Sequence, residues 1–262
     1  MDLQIKGKKA LISGSSQGIG FAIAKTLAVE GAHVVINGRS EDKLAAAKQE
    51  ILTEYPQAHV ECFTGDLSSS EACTQLASEH PQVDILVNAL GIFEPKDFLD
   101  IPDEDWERFF NVNVLSGVRL SRAYLPYMQK KDWGRILFIS SESAVQIPQE
   151  MIHYGTTKTA QLAVSRGLAE TCAGTGVTVN AVLPGPTRSE GVVEFVDQIS
   201  GGQDFKEFEK EFFNSVRPSS LIKRFADVQE VANMVTYLCS PLASATTGSA
   251  IRVDGGVVKA CV

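Results

Sequence analysis

Two residues in the run His153-Tyr154-Gly155-Thr156-Thr157-Lys158 carry side chains that could together move a proton. A tyrosine and a lysine four positions apart share one face of a helix, with the ammonium one turn from the phenol. Free tyrosine titrates near pH ~10 and is a poor acid or base at neutrality. A fixed cation within a few ångströms favours the phenolate and makes the hydroxyl usable in chemistry. The same spacing also suits an aromatic packed inward beside a solvated lysine, so the pair needs support from elsewhere in the chain.

That support begins at Lys8-Lys9-Ala10-Leu11-Ile12-Ser13-Gly14-Ser15-Ser16-Gln17-Gly18-Ile19-Gly20, where a short apolar strand runs into three glycines. The following Phe21–Ala28 has helical periodicity, and Ala32–Ile36 reads as a second strand, which completes a βαβ unit. Glycines at such a corner let phosphates approach the backbone, and the helix start offers free N–H groups and the positive end of a dipole. The corner predicts a dinucleotide site.

Strands then alternate with helices along the chain. Helical stretches are expected over Glu41–Tyr55, after Ser68, from Asp103 to about Lys130, from Tyr154 to about Ala173 and from Asp227 to Leu238. Strands are expected at Ala58–Phe63, Ile85–Val87, Arg135–Ser140, Val177–Leu183 and Ala250–Val253, with a less regular segment reaching Pro218. Several strands are apolar on both faces, as a sheet covered by helices on both sides requires. The expected fold is α/β: a doubly wound parallel sheet, Rossmann-like, in three layers and one domain over residues 1–262.

Composition narrows the function classes. At 262 residues and 44% hydrophobic content the chain can bury a full core. A net charge of -8 argues against nucleic acid as main partner. No run of eighteen apolar residues and no secretory leader is visible, so neither a membrane association nor export is expected, and the predicted location is cytoplasmic. Five scattered cysteines without Cys-x-x-Cys spacing favour neither a disulfide framework nor a metal site.

The Gly-x-x-x-Gly-x-Gly pattern, together with the later Tyr-x-x-x-Lys, resembles the short-chain dehydrogenase/reductase family, and further landmarks follow in order. Asp84–Gly91 matches its Asn-Asn-Ala-Gly strand end, Asn113 its helix asparagine, Ser140-Ser141 the close of the fifth strand, Pro184-Gly185 the end of the sixth, and Val253–Gly256 the last. Ser13 stands where threonine is usual, which keeps the hydroxyl. Ala89-Leu90 replaces Asn-Ala, which removes an amide that braces the sheet in the family.

The resemblance implies catalytic roles for Asn113, Ser141, Tyr154 and Lys158. Tyr154 would donate or accept the proton, Lys158 would lower its pKa and hold the nicotinamide ribose, Ser141 would bond the substrate oxygen, and Asn113 would hold a water leading to solvent. It also implies cofactor contacts from Gly14, Ser16, Gln17, Gly18, Ile19 and Gly20 at the corner. Others are expected from Asp66, Leu67, Asn88, Gly91, Pro184, Gly185, Thr187 and Ser189, with Thr187 and Ser189 competing for the carboxamide. Dimers or tetramers built on the two long helices and the last strand are expected by the same likeness.

Cofactor choice is read at Ile36-Asn37-Gly38-Arg39-Ser40. An acidic residue there would accept from the ribose 2′-hydroxyl of NAD, and a basic one suits the 2′-phosphate of NADP. Arg39 favours NADP.

Residues 189–220 combine Phe195, Phe205, Phe208, Phe212 and Phe213 with an excess of carboxylates. Phe205, Phe208 and Phe212 at i, i+3 and i+7 fit a short amphipathic helix. A sharper reading makes the segment a lid hinged at Gly201-Gly202, whose acidity discourages anionic substrates. Phe93, Gln146, Met151 and His153 are further pocket candidates. The favoured expectation is an NADP-dependent oxidoreductase of a carbonyl or alcohol. An NAD-dependent secondary-alcohol dehydrogenase and a non-catalytic nucleotide sensor remain as alternatives.

Overall fold

The computed structural model describes residues 1–199 and 204–261. Its main sheet has seven parallel strands: β1 (Lys9–Ser13), β2 (His33–Gly38), β3 (His59–Thr64), β4 (Ile85–Asn88), β5 (Gly134–Ile139), β6 (Val177–Pro184) and β9 (Ala250–Val253). Their order across the sheet is β3-β2-β1-β4-β5-β6-β9. The order reverses direction between β1 and β4, and that switch point opens a crevice at the strands' carboxyl ends. A small second sheet pairs β7 (Thr187–Arg188) with β8 (Ala226–Asp227). The sequence patterns gave no sign of it because two-residue strands carry no periodicity.

Helices cover both faces. α1 (Gly18–Val29), α2 (Glu41–Glu54) and α9 (Val228–Leu238) lie over one apolar core that includes Ile12, Ile23, Leu27, Ile36, Leu44 and Val235. α3 (Ser70–Glu79), α5 (Ser116–Lys131) and α6 (Ile152–Thr171) cover the other, with Leu11, Leu76, Leu86, Leu120, Tyr124 and Phe138. Alternate residues of one strand enter opposite cores: Leu11 faces one side, Ala10 and Ile12 the other. Burial on both faces explains why these strands read as continuous apolar runs.

Two helical regions depart from expectation. The stretch from Asp103 is broken into α4 (Asp103–Phe110), a π-helical turn over Asn111–Leu115, and α5. The segment expected to be less regular holds α7 (Glu190–Ile199), besides α8 (Phe205–Ser215) where the phenylalanine spacing fits a short helix. The Gly201-Gly202 hinge lies outside the described residues. On α8 the phenylalanines pack on one another and on Phe225, with ring centroids of Phe205, Phe212 and Phe213 at 5.5, 5.1 and 5.2 Å from the Phe225 ring. That is the amphipathic use read from their spacing.

Candidate active site

The corner after β1 is shaped by what its glycines lack. Gly14 has φ +63°, and a Cβ there would stand 2.9 Å from Leu90 Cα. A Cβ on Gly20 would meet the Gly14 carbonyl oxygen at 2.3 Å. Ser13 Oγ accepts from the N–H groups of Ala89 and Leu90 at 3.0 and 3.1 Å, so its hydroxyl fastens the loop in which the family's amide is missing.

The Gln17 side chain does not cap α1. The Gly18 N–H instead donates to Glu190 Oε2 at 2.9 Å. A carboxylate seated on the first turn of this helix shows that the corner takes an anion, which is the fit required of a phosphate cradle.

Asn37 secures the next strand end. Its Oδ1 accepts from the Gly14 N–H at 3.1 Å, and its Nδ2 donates to the carbonyls of Phe63 and Gly65 at 3.1 and 3.0 Å. Beyond it, Arg39 is exposed, and Lys43 Nζ donates to Gln17 Oε1 at 3.3 Å. A Cβ on Gly38 would lie 3.0 Å from Ser16 Cβ, so Ser16 stands against the strand end. Ser16, Arg39 and Lys43 therefore form one polar, cationic rim. Lys43 was not singled out in the sequence, although its place in the first turn after Arg39 was the available signal.

Across the rim, Asp66 Oδ1 accepts from the Ser68 N–H at 3.0 Å. Partial burial works to raise its pKa, but the Ser68 hydrogen bonds and the charge of Arg39 leave it below the ordinary carboxylate value. Leu67 is buried in the core, so only its backbone remains to meet a ligand.

At the switch point, Asn113, Ser141, Tyr154 and Lys158 converge from separate elements. The π-turn brings Asn113 inward, where its Oδ1 accepts from the Ile92 N–H at 2.8 Å and its Nδ2 donates to the Ile92 carbonyl and Thr157 Oγ1, both at 3.0 Å. Single π-turns inside α-helices are frequent at functional sites. Asn113 thereby ties the loop after β4 to the first turns of α6. A Cβ on Gly91 would stand 3.3 Å from Lys158 Nζ and 3.5 Å from Asn113 Oδ1, so that glycine makes room for both. Ser140 Oγ donates to the Lys158 carbonyl at 2.8 Å, a purely structural bond. Asn88 Nδ2 reaches Ser121 Oγ at 3.4 Å, while its Oδ1 is unpartnered among the described residues.

Electrostatics depart from the simple expectation of a phenol acidified by its lysine. Lys158 Nζ donates to the Ile139 carbonyl at 2.9 Å and lies 5.6 Å from the Tyr154 ring centre. Burial lowers its pKa to about 8. Burial also pushes the Tyr154 phenol well above its ordinary value; Ser141 opposes that shift and the Glu142 carboxylate adds to it. The spacing brought the two side chains to one face but did not fix where the ammonium points, and the nearest backbone carbonyl claims it.

The other candidates scatter around this centre. Phe93 meets Tyr154 edge-on at 6.5 Å between ring centres. Gln146 is exposed, with Nε2 3.5 Å from Ser219 Oγ. His153 is fully buried against Phe109, 4.1 Å between rings, and is a packing residue. Pro184 ends β6, and a Cβ on Gly185 would meet the Asp254 carbonyl oxygen at 2.6 Å. Thr187 Oγ1 donates to the Gly185 carbonyl at 2.9 Å, and Ser189 Oγ accepts from the Val192 N–H at 3.3 Å at the start of α7. Glu142 and Arg217, which the sequence reading passed over, adjoin Ser141 as a buried ion pair with Nε to Oε1 at 3.5 Å. An acidic residue directly after a six-residue apolar strand and two serines was the visible clue to Glu142.

A doubly wound sheet with an anion cradle on one side of its switch point and a Ser-Tyr-Lys cluster on the other defines a dinucleotide-dependent oxidoreductase. The comparisons fix the family. Residues 14–258 match the family model described as enoyl-(acyl carrier protein) reductase, and the chain belongs to the short-chain dehydrogenase/reductase family. It is 49% identical over 261 residues to the uncharacterized oxidoreductase YvaG of Bacillus subtilis, covering 99% of each chain. It is 35% identical to the 3-oxoacyl-[acyl-carrier-protein] reductase FabG of Aquifex aeolicus, covering 98% of this chain and 100% of that one. The solved structure of L-sorbose reductase from Gluconobacter frateurii, complexed with NADPH and L-sorbose, superposes with a TM-score of 0.92 at 32% identity, covering 99% of this chain and 100% of that one. The protein is an enzyme of that family acting at the level of C=O and CH–OH. No helix among the described residues is long and apolar enough to cross a membrane.

Proposed function

We propose that this enzyme reduces a neutral ketone or aldehyde to the alcohol with NADPH, and runs the reverse reaction when alcohol and NADP are in excess. The observation that carries this reading is the meeting of Ser141, Tyr154 and Lys158 at the carboxyl ends of β5 and α6's first turns, on the same edge of the sheet as the Gly14–Gly20 cradle. Bound there, the nicotinamide supplies the hydride. Everything else is the protein's work.

Tyr154 hands its proton to the developing alkoxide. A phenol held protonated by burial is the form a reduction needs at its start. Lys158, titrating near 8, can return a proton to the phenolate at neutral pH and is a candidate for the ribose hydroxyls. Ser141 places a hydroxyl beside the same oxygen, and Asn113 holds the Ile92 loop and α6 in register. The cradle's Gly14, Ser16, Gln17, Gly18, Ile19 and Gly20 take the pyrophosphate. Asp66 and Leu67 serve the adenine, while Asn88, Gly91, Pro184, Gly185, Thr187 and Ser189 line the nicotinamide end.

NADP is preferred because Arg39 and Lys43 put two cations at the end of β2, where the 2′-phosphate belongs. The NADPH bound to the L-sorbose reductase supports the same choice. The excess of carboxylates in the sequence over residues 189–220 favours an uncharged substrate. A homo-oligomer belongs to the proposal, since β9 is an unpaired edge of the sheet.

NADPH absorbance with a panel of neutral ketones, sugars, quinones and acyl-carrier thioesters tests the reading. Neutral carbonyls should be turned over faster, with kcat/KM for NADPH above that for NADH. Faster reduction of the acyl-carrier thioesters would defeat the substrate assignment, and an NADH preference would favour the NAD-dependent alcohol dehydrogenase.

A further inference from the structure

We propose that the substrate carries a hydroxyl on the carbon next to its carbonyl, and that Glu142 selects it: this hydroxyl donates to the Glu142 carboxylate and thereby releases the Ser141 proton to the carbonyl oxygen. The inference rests on the reductase reading and names its substrate class.

Ser141 belongs beside the substrate oxygen, yet its proton is already engaged. Its Oγ donates to Glu142 Oε2 at 2.5 Å, a short charge-assisted bond, and accepts from the Ser143 N–H at 3.1 Å. A hydroxyl has a single proton. Ser141 can therefore donate to a substrate oxygen only by turning away from Glu142, and a buried carboxylate that loses a donor is left short of partners. A plain ketone brings acceptors alone and cannot make good that loss. A hydroxyl on the neighbouring carbon can.

The carboxylate is arranged for the exchange. On Oε2 the Ser143 N–H at 2.8 Å and Ser143 Oγ at 3.1 Å remain in place when Ser141 turns. Oε1 is faced by Arg217 Nε at 3.5 Å, longer than an ordinary hydrogen bond, and keeps room for a further donor. Glu142 is 5% exposed and Ser141 6%, so a substrate that reaches the hydroxyl reaches the carboxylate one hydrogen bond beyond it. In an α-hydroxy ketone the two oxygens are about as close as a hydrogen-bonded pair, so one can meet Ser141 while the other meets Glu142.

Arg217 holds the carboxylate charged and in position. Its guanidinium spans Glu142 and, at 3.3 Å, Glu150, and its backbone N–H donates to the Phe212 carbonyl at 2.9 Å. A carboxylate so enclosed needs such a partner. The same charge rejects a carbonyl with a carboxylate in place of the hydroxyl, since two anions would then meet. The net change is one carbonyl, one NADPH and one proton to one vicinal diol and one NADP, with Tyr154 protonating the reacting oxygen.

The test compares kcat/KM with NADPH for hydroxyacetone, methoxyacetone and butan-2-one, and for the aromatic set α-hydroxyacetophenone, α-methoxyacetophenone and propiophenone. The methoxy compounds keep the electron-withdrawing oxygen but lack the donor; butan-2-one and propiophenone match the hydroxyl in size. Wild type should prefer the hydroxy ketone to both of its analogues by about tenfold or more in at least one set. Glu142→Gln keeps the shape and removes the charge, and should bring hydroxy and methoxy ketones within about threefold of each other, with the NADPH Kd and the melting temperature unchanged. A loss shared equally by the two ketones would make Glu142 a structural residue and overturn the inference. Equal use of hydroxy and methoxy ketones by wild type overturns it with no variant needed, which decides the matter if Glu142→Gln does not fold. Wild type that reduces other neutral ketones without this preference overturns only this inference, whereas wild type that reduces no carbonyl at all overturns the reductase reading itself.

Discussion

Glu190 occupies the Gly18 N–H that the proposed pyrophosphate site uses, and removing its charge should tighten NADPH binding. The Gly18 N–H donates to Glu190 Oε2 at 2.9 Å, and this bond must break before a phosphate takes the same donor. Hydrogen bonds to charged partners contribute about 1.5–3 kcal/mol net. Glu190 is exposed, so solvent screening brings the figure to about 1 kcal/mol. At 1.4 kcal/mol per tenfold, Glu190→Ala should lower the NADPH Kd about fivefold. Glu190→Gln retains an acceptor oxygen and should fall between the alanine variant and wild type. Cofactor fluorescence titration at low salt reads the effect, and raising the salt to about 0.5 M should narrow the gap because the contact is charge-dependent. A Kd that is unchanged or weaker in Glu190→Ala would show that the carboxylate does not compete for the cradle. Since Glu190 opens α7, the same result would mean that the helix does not have to shift when cofactor enters.

Other variants probe the remaining parts. Tyr154→Phe should lower kcat by about 10²–10⁴-fold with the NADPH Kd unchanged, and turnover near wild type would favour the nucleotide-sensor alternative. Arg39→Ala and Lys43→Ala should each weaken NADPH while sparing NADH, so the ratio of the two kcat/KM values should fall; equal loss with both cofactors would place these cations away from the 2′-phosphate. Lys158→Met should stabilise the fold while abolishing activity. The folded-state pKa of Lys158 is about 8 against 10.5 unfolded. Below pH 8 the protein carries the whole cost of a buried ammonium, about 3 kcal/mol, and that cost disappears as pH rises from 8 to 10.5. Losing the bond to the Ile139 carbonyl offsets part, leaving a gain of about 2 kcal/mol at pH 7 that should fade by pH 10, measured by denaturant melts. A gain that grew with pH would contradict the sign.

The alternation of strands and helices was legible because burial on both faces writes continuous apolar runs that glycines and prolines punctuate. Gly14, Gly18 and Gly20 were legible for a similar reason, since the corner leaves no room for a Cβ at Gly14 or Gly20. The π-turn was not. It inserts one residue into the helical count at Asn111–Leu115, and the helical stretch read from Asp103 to about Lys130 carried no proline or glycine signal at that point to mark it. α8 was legible from the i, i+3, i+7 spacing of its phenylalanines, whereas α7, with no comparable apolar spacing singled out, was read as part of a less regular segment. The spacing of Phe205, Phe208 and Phe212 exposed the packing face, but its partner Phe225 lies too far along the chain for any local pattern to show. The Tyr154–Lys158 pairing was readable from spacing. The direction of the phenol's pKa shift was not, because it is set first by burial, which only the packed fold decides, with Ser141 opposing it and Glu142 adding to it.

Asn37 carries a consequence for how this enzyme could change its diet of coenzyme. Two chain segments that meet only in space, the corner at Gly14 and the end of β3 at Phe63 and Gly65, hang from one planar amide pointing inward. Its neighbours Arg39 and Lys43 are exposed, and only Lys43 touches the corner, through the Gln17 side chain. Anchorage and preference are thus separate inheritances: the exposed pair is free to drift toward another nucleotide while the architecture that grips the ligand stays intact, whereas loss of the single inward group would loosen both loops together.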